Sequence, residues 1–283
     1  MCFNQFIGTV MRLYRKSPLH SQKVGSFLAK ILTVSLIFRR TNLTVKEIKG
    51  INYELDLREV IDSSLFFSGT FEELEEEVIE SILKPGMITF DIGANFGYYT
   101  FKMASLVKPG GWVYAFEPTD WAYKKILRNS NLNPSLDNIR FLKLGLSDND
   151  EKCKQLNFQS SYRTDGKEFS VTEEMTLVKL DTFAEENKLS NLDFIKIDVD
   201  GYEGKVVRGA VQTLLKFHPI IFFEISPSLM MKNNDQPSEL VHQLVLMGYK
   251  FKSVKGFQIN DLTAYCEKIK NNSSSMVLAL PIE

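Results

Sequence analysis

Residues Met87 to Thr100 read Met-Ile-Thr-Phe-Asp-Ile-Gly-Ala-Asn-Phe-Gly-Tyr-Tyr-Thr, an order that few folds accept. Pro85-Gly86 interrupts whatever precedes it, and Met87 to Ile92 is a short apolar run of the kind that becomes a buried parallel strand. Asp91 stands at the carboxyl end of that run. Gly93 and Gly97 follow, and Tyr99, Met103, Leu106 and Val107 then recur at helical spacing. A strand, a glycine turn and a helix start are the parts of a nucleotide-binding crevice. The spacing narrows the choice of nucleotide. A dinucleotide calls for G-x-G-x-x-G, because its pyrophosphate lies against bare backbone at the helix N-terminus. Here the spacing is G-x-x-x-G, with Asn95 where a middle glycine belongs and an acid ahead of the first glycine. That acid would repel a pyrophosphate and suits a ligand that carries an ammonium group.

A ligand with an ammonium, a ribose and no phosphate is S-adenosylmethionine (SAM). Asp91-Ile-Gly-Ala-Asn-Phe-Gly-Tyr-Tyr-Thr100 closely resembles the first motif of the FkbM-type methyltransferase family. Phe116-Glu117-Pro118, Leu146-Ser147-Asp148 and Ile195-Lys-Ile-Asp-Val-Asp-Gly-Tyr-Glu203 agree with it in order, so the resemblance runs from about Leu55 to Glu224. It implies a class I SAM-methyltransferase (Rossmann-like) fold: α/β, with a doubly wound, largely parallel sheet. It also implies SAM as cofactor and a small-molecule acceptor, often a hydroxyl of a sugar, glycolipid or polyketide-type natural product.

A chain of 283 residues suffices for one large α/β domain with additions. The net charge of −1 gives no global pull toward nucleic acid, and none is expected as a partner. Cysteines stand only at 2, 153 and 266, without metal spacing, which fits a reducing, cytoplasmic setting and argues against a disulfide framework or a zinc site. Residues 1–46 carry eight basic side chains and no acid. Within them Val24 to Phe38 is apolar but shorter than the ~20 residues that span a bilayer. The organisation expected is a basic amphipathic helical extension over 1–40, a hairpin and helix over 41–86, and a SAM-binding catalytic domain over 87–283. The extension can pack on the catalytic domain, meet another subunit, or lie peripherally on the inner face of a membrane; packing is the commonest fate of such a helix.

Between Thr41 and Leu57 the apolar residues alternate around Lys49-Gly50, which predicts a β-hairpin. Asp62 to Gly69 reads as loop. Thr70 with Glu73 makes a capping box for a helix with Leu74, Val78, Ile82 and Leu83 on one stripe and the acids Glu72 to Glu77 largely on its solvated face. Core strands are expected at Trp112–Phe116, Ile139–Gly145, Asp193–Asp198 and Pro219–Ile225, with further strands at Tyr249–Val254 and Ser275–Leu280 and an extra hairpin near Phe169–Leu180.

Four successive strands end in acids: Asp91, Glu117, Asp148 and Asp198. Carboxylates at strand ends are costly as core and need partners. The cofactor supplies one for each. Asp91, Gly93, Ala94, Asn95, Gly97 and Tyr98 would surround its amino-acid portion, and Glu117 beside Pro118 would take the ribose hydroxyls. Ser147 and Asp148 would meet the adenine, Asp148 being otherwise a turn residue, with Phe116 or Trp121 flanking the ring or serving the core. Asp198 would face the donor. Lys196, Asp198, Asp200 and Glu203 carry the acceptor side, where a carboxylate is the expected base because His20, His218 and His242 lie in no motif. The alternative is a divalent ion on Asp198 and Asp200; no dedicated metal site is expected. Glu224 could orient the acceptor. Two rival readings are an NAD-dependent oxidoreductase, opposed by the missing glycine, and a non-catalytic module of the same fold.

Overall fold

The computed structural model describes residues 43–162, 168–269 and 273–282. The basic extension over 1–40 lies outside them. The chain forms two compact units, the smaller comprising residues 43–73, Arg128–Pro134 and the described part of Asn157–Thr172.

In the smaller unit, β1 (Leu43–Ile48) and β2 (Ile51–Asp56) form the expected antiparallel hairpin. Its turn is Lys49-Gly50, both at positive φ, the conformation that matches a two-residue hairpin to the strand twist. Ile51, Tyr53 and Leu55 are buried on one face of β2. The other edge of β2 is closed by side chains: Asn52 N–H donates to Asn133 Oδ1 and Glu54 N–H to Asn129 Oδ1, both at 2.8 Å. Amides thus occupy a strand edge that would otherwise invite another chain. Residues 62–68 are helical, not loop: α1 spans Val60–Ser68 and buries Leu65, Phe66 and Phe67. Those three are consecutive and show no helical period, so the sequence hides the helix. The Asp62 carboxylate accepts the Asp56 N–H at 2.6 Å, and Gly69, at φ 76°, closes the C-terminus by donating to Leu65 O.

The larger unit is built on an eight-stranded sheet of order β12-β11-β13-β10-β9-β3-β4-β5. Its parallel part is β3 (Ile88–Ile92), β4 (Trp112–Phe116), β5 (Ile139–Leu142), β9 (Phe194–Ile197) and β10 (Ile220–Ile225). These strands pair parallel throughout. β13 (Ser275–Pro281) runs antiparallel between β10 and β11 (Tyr249–Ser253), and β12 (Gln258–Ile259) adds an edge. The chain leaves β3 toward β4 and β5, then returns to the other side of β3 to lay down β9 and β10. The switch in strand order therefore falls between β3 and β9, where such sheets open a crevice beyond their carboxyl ends. Phe90, Phe116 and Phe183 pack on one another at the centre of the core, with ring centroids 5.0–6.0 Å apart.

Three expectations need correction here. The chain leaves the main sheet after Leu142. Gly145-Leu146 (β6) instead joins β7 (Glu151–Tyr162) and β8 (Glu168–Val178) in a separate sheet of order β6-β8-β7. A Cβ at Gly145 would stand 2.6 Å from a Leu177 methyl, which explains a residue without one where β6 pairs with β8. The helix after Thr70 begins only at Glu73 (α2, Glu73–Ile82), so Thr70 is not at its N-cap position. Its buried positions are Glu76 and Ile79, whereas Leu74 is 42% exposed. Glu76, read as solvated, is almost wholly enclosed. The Lys102 ammonium lies 2.8 Å from its carboxylate and the Tyr98 hydroxyl donates to it, both from α3 (Tyr98–Val107). Among the described residues no helix is long and apolar enough to cross a membrane.

Candidate active site

The loop from Ile92 to Tyr98 is forced into shape by three residues at positive φ: Gly93, Asn95 and Gly97. The N–H groups of Gly93 and Ala94 both donate to Phe116 O at 3.0 Å, which ties the loop to the end of β4. A Cβ at Gly93 would overlap the backbone carbonyl of Asp198. This glycine exists first for the close approach of the loops after β3 and β9. Gly97 opens α3 with its own missing Cβ pointing at the Phe101 and Ile126 side chains.

Asp91 is 1% exposed. Its Oδ2 accepts from the Thr100 hydroxyl at 2.6 Å, while Oδ1 is buried without a hydrogen-bond partner. Burial pushes its pKa up, opposed by the Lys196 ammonium. An orphaned carboxylate oxygen at the switch point is costly unless a donor arrives, and the ammonium expected from the sequence is such a donor. Glu117, at the end of β4, is organised differently. Oε2 accepts the Asn95 N–H at 2.8 Å, and Oε1 accepts the N–H and hydroxyl of Thr119 at 2.9 and 2.6 Å. Burial still raises its pKa. Each oxygen of a carboxylate can take two donors, so Oε2 keeps room for a ligand hydroxyl.

Asp148 is engaged on the protein. Its Oδ2 takes Arg208 Nε at 2.9 Å, and the same guanidinium reaches the buried Asp235 carboxylate at 2.9 Å. Ser147 is buried, its hydroxyl directed at Asp148 Oδ1 from 3.3 Å. The Tyr98 hydroxyl is spent on Glu76. Phe116 is fully buried among Phe90 and Phe183 and is core; Trp121, on α4 (Asp120–Asn131), receives the Lys125 ammonium over its ring at 5.1 Å. Pro118 flanks Gly145.

On the other side of the switch, Lys196 is 2% exposed on β9, with Nζ 3.0 Å from Asp198 Oδ2 and 4.8 Å from the Tyr99 ring centre. The strand register aligns Asp91 with Lys196, and β9 with β10 so that Asp198 and Glu224 follow the pair Ile197–Phe223. Glu224, for which the sequence offered only an orienting role, is thus the register neighbour of Asp198. Burial and the Asp198 carboxylate raise its pKa to about 7. The signal was present as one more acid at a strand end. Asp200 stands on the turn beyond β9 at φ 51°, and the desolvation of its carboxyl by surrounding protein, with the Asp198 carboxylate, raises it to about 6. Glu203 starts α5 (Glu203–Arg208) and is fully buried. Its Oε1 accepts the N–H groups of Val199 and Gly201 at 3.0 and 3.3 Å, which fixes the turn that carries Asp200. Oε2 is an orphan, and burial lifts the group to about 8.

Among the described residues no group of three His, Cys, Asp or Glu side chains is set to hold a metal ion. The Lys196 ammonium lies 3.0 Å from Asp198 Oδ2 and so supplies a counter-charge at the place where a divalent ion on Asp198 and Asp200 would sit.

The family model of the methyltransferase FkbM domain matches residues 91–251. Among curated proteins, the 2-O-methyltransferase NoeI of Sinorhizobium fredii is 24% identical over an alignment of 163 residues, with 51% of this chain and 65% of that protein covered. The match thus spans just under two thirds of that relative's length. Among solved structures, a methyltransferase FkbM from Methylobacillus flagellatus is 13% identical, covering 94% of this chain and 62% of that one at a TM-score of 0.43. M. jannaschii TYW2 in complex with AdoMet is 16% identical, covering 86% of each chain at 0.44. The doubly wound sheet with β13 inverted beside β10 is the class I SAM-methyltransferase fold. With the matched domain spanning more than half of its length, this chain belongs to the FkbM methyltransferase family.

Proposed function

We propose that this methyltransferase uses SAM and transfers its methyl group to a hydroxyl of a small molecule, with carbohydrate as the favoured acceptor class. The observation that carries the reading is the buried, half-unpaired Asp91 carboxylate at the switch point, with Lys196, Asp198 and Glu224 beside it. When bound, SAM supplies an electrophilic methyl on a sulfonium centre. Asp91 Oδ1 would hold the cofactor's ammonium, and Glu117 Oε2 would accept from the ribose. Asp148 would reach the adenine only while also holding Arg208.

Displacement at a methyl carbon needs the acceptor oxygen aligned and relieved of its proton, alignment and a positioned base each contributing large factors. Asp198, paired with Lys196 at 3.0 Å, suits orientation of the hydroxyl. Glu224, raised to about 7, suits proton removal, because a base is most useful when its pKa lies near the working pH. Asp200 lies at the open side for the acceptor's further groups, and Glu203 positions its turn.

Two measurements test the reading. Calorimetric titration of the full chain should give saturable SAM binding and none for NAD; the reverse result would replace a methyltransferase by an oxidoreductase. Asp198→Asn and Glu224→Gln should each retain SAM affinity yet lose transfer of labelled methyl to any acceptor found by screening. Full turnover in both variants removes them from the site. EDTA should leave that turnover unchanged.

A further inference from the structure

A cavity of about 590 Å³ opens at the end of the sheet where Glu224 stands, away from the residues assigned above. Its position follows from register. Ser275 pairs with Ile225, the residue after Glu224, and Ser253 lies one strand further, paired with Val277. Both line the cavity. With strands about 4.8 Å apart, its near wall begins roughly one to two strand spacings, about 5–10 Å, from the end of β10. Ser274, next to Ser275, hydrogen-bonds Glu224.

The walls are held by the protein itself. Phe257 is presented on a tight turn: its N–H donates to Ser253 Oγ at 3.2 Å and its carbonyl accepts the Ser253 N–H at 2.9 Å. The ring is 69% exposed, a flat apolar face on a fixed support. Tyr265, on α6 (Leu262–Glu267), shares a hydrogen bond of 2.7 Å with Ser275. Asp261, the acid of the cavity, is occupied in capping α6 through the Ala264 N–H at 2.9 Å. Lys255 and Lys268 are exposed, line the cavity, and make no ion pair among the described residues. Gln258 and Asn260 add amides.

An aromatic face suits the C–H face of a pyranose, amides suit vicinal hydroxyls, and unpaired ammonium groups suit phosphate or carboxylate as point charges. We infer that this cavity is the distal acceptor subsite and that it holds a sugar bearing an anionic group, phosphate or carboxylate, while a hydroxyl of the same acceptor lies at Glu224. The inference rests on the methyl-transfer reading for the role of Glu224.

The test is calorimetry on the full chain with four probes: glucose, glucose 1-phosphate, glucuronate and inorganic phosphate, each with and without SAM. Either charged sugar should bind at least about tenfold more tightly than glucose, the least that a single charge-assisted hydrogen bond provides. Which charged sugar binds better identifies the anion. The double substitution Lys255→Gln/Lys268→Gln should erase the preference, Phe257→Ala should weaken every sugar, and SAM affinity should be unchanged in both. The inference is overturned if glucose binds as well as the charged sugars, if inorganic phosphate binds as well as glucose 1-phosphate, or if the double variant keeps the preference. It is equally overturned if no sugar binds at millimolar concentration while SAM does. Failure of the wild-type chain to bind SAM would instead sink the methyl-transfer reading.

Discussion

Replacing Gly93 by alanine should do more damage than the same change at Gly248, which has a comparable backbone angle, so the structure supplies its own control. Gly93 and Gly248 lie in the same unit at φ 83° and 80°. A Cβ at Gly248 meets nothing within 4 Å. Gly248→Ala therefore pays only for the left-handed conformation, about 1–2 kcal/mol. At Gly93 the new methyl overlaps the Asp198 carbonyl oxygen and comes within 2.9 Å of its carbon and 3.1 Å of a Val199 methyl. A backbone carbonyl at the end of a buried strand cannot swing aside as a side chain can, so overpacking adds about 1–3 kcal/mol. For a unit of this size that extra cost is worth about 2–4 °C per kcal/mol in melting temperature. The relief available is to part the loops after β3 and β9, which moves Asp198 from Lys196 and from the cofactor side. Thermal melts of the two variants, with SAM titrations, measure both effects. If Gly93→Ala melts with Gly248→Ala and binds SAM as the wild type does, the close approach of these two loops is not what the glycine is for.

Other consequences are equally direct. Glu203 has an ordinary pKa of 4.5 and is raised to about 8 by burial, so the folded protein holds a proton that the unfolded chain has released. Its contribution makes stability fall as pH rises from about 4.5 to 8 and then level off; Glu203→Gln, which keeps an oxygen for the two turn N–H groups, should flatten that fall in urea titrations across pH. Methyl transfer should rise with pH through about 7 as Glu224 loses its proton, and Glu224→Gln should abolish that limb; an unaltered pH profile in the variant would exclude Glu224 as the base. Glu76→Ala leaves the enclosed Lys102 with the half-exposed Glu80 as its one acid partner among the described residues, and should cost about 3–5 kcal/mol as broken buried ion pairs do; a loss below 1 kcal/mol by chemical denaturation would show the pair to be idle.

The parts legible in the sequence are those in which one local signal has one structural meaning. An acid closing an apolar run marked Asp91, Glu117 and Asp198 as strand ends, and Lys49-Gly50 between alternating runs marked the hairpin. Harder to read were features whose partners lie far along the chain. Glu76 sits in a run of acids that looks solvated, and only Tyr98 and Lys102, 22 and 26 residues on, make it interior. The apolar triplet Leu65-Phe66-Phe67 has no period because both sides of α1 are covered. Gly145-Leu146 could not be told from a continuation of β5, since what diverts it is the distant strand β8. Glu224 looked like one more strand-end acid until register set it beside Asp198.

The inverted strand β13 imposes an order on biosynthesis. β11 and β12 leave the ribosome before β13, yet β11 pairs in the sheet only with β12 and β13. Until residues 275–281 have been made, β10 and β11 both present open edges, one of them the apolar run Ile220-Ile-Phe-Phe. A nascent or truncated chain that stops short of Ser275 therefore exposes two unpaired strands at once, the condition under which chains add to one another. This enzyme should depend on holdase chaperones most acutely during synthesis of the 56 residues from the end of β10 to the completion of β13, and premature termination there should yield aggregate instead of a less active enzyme.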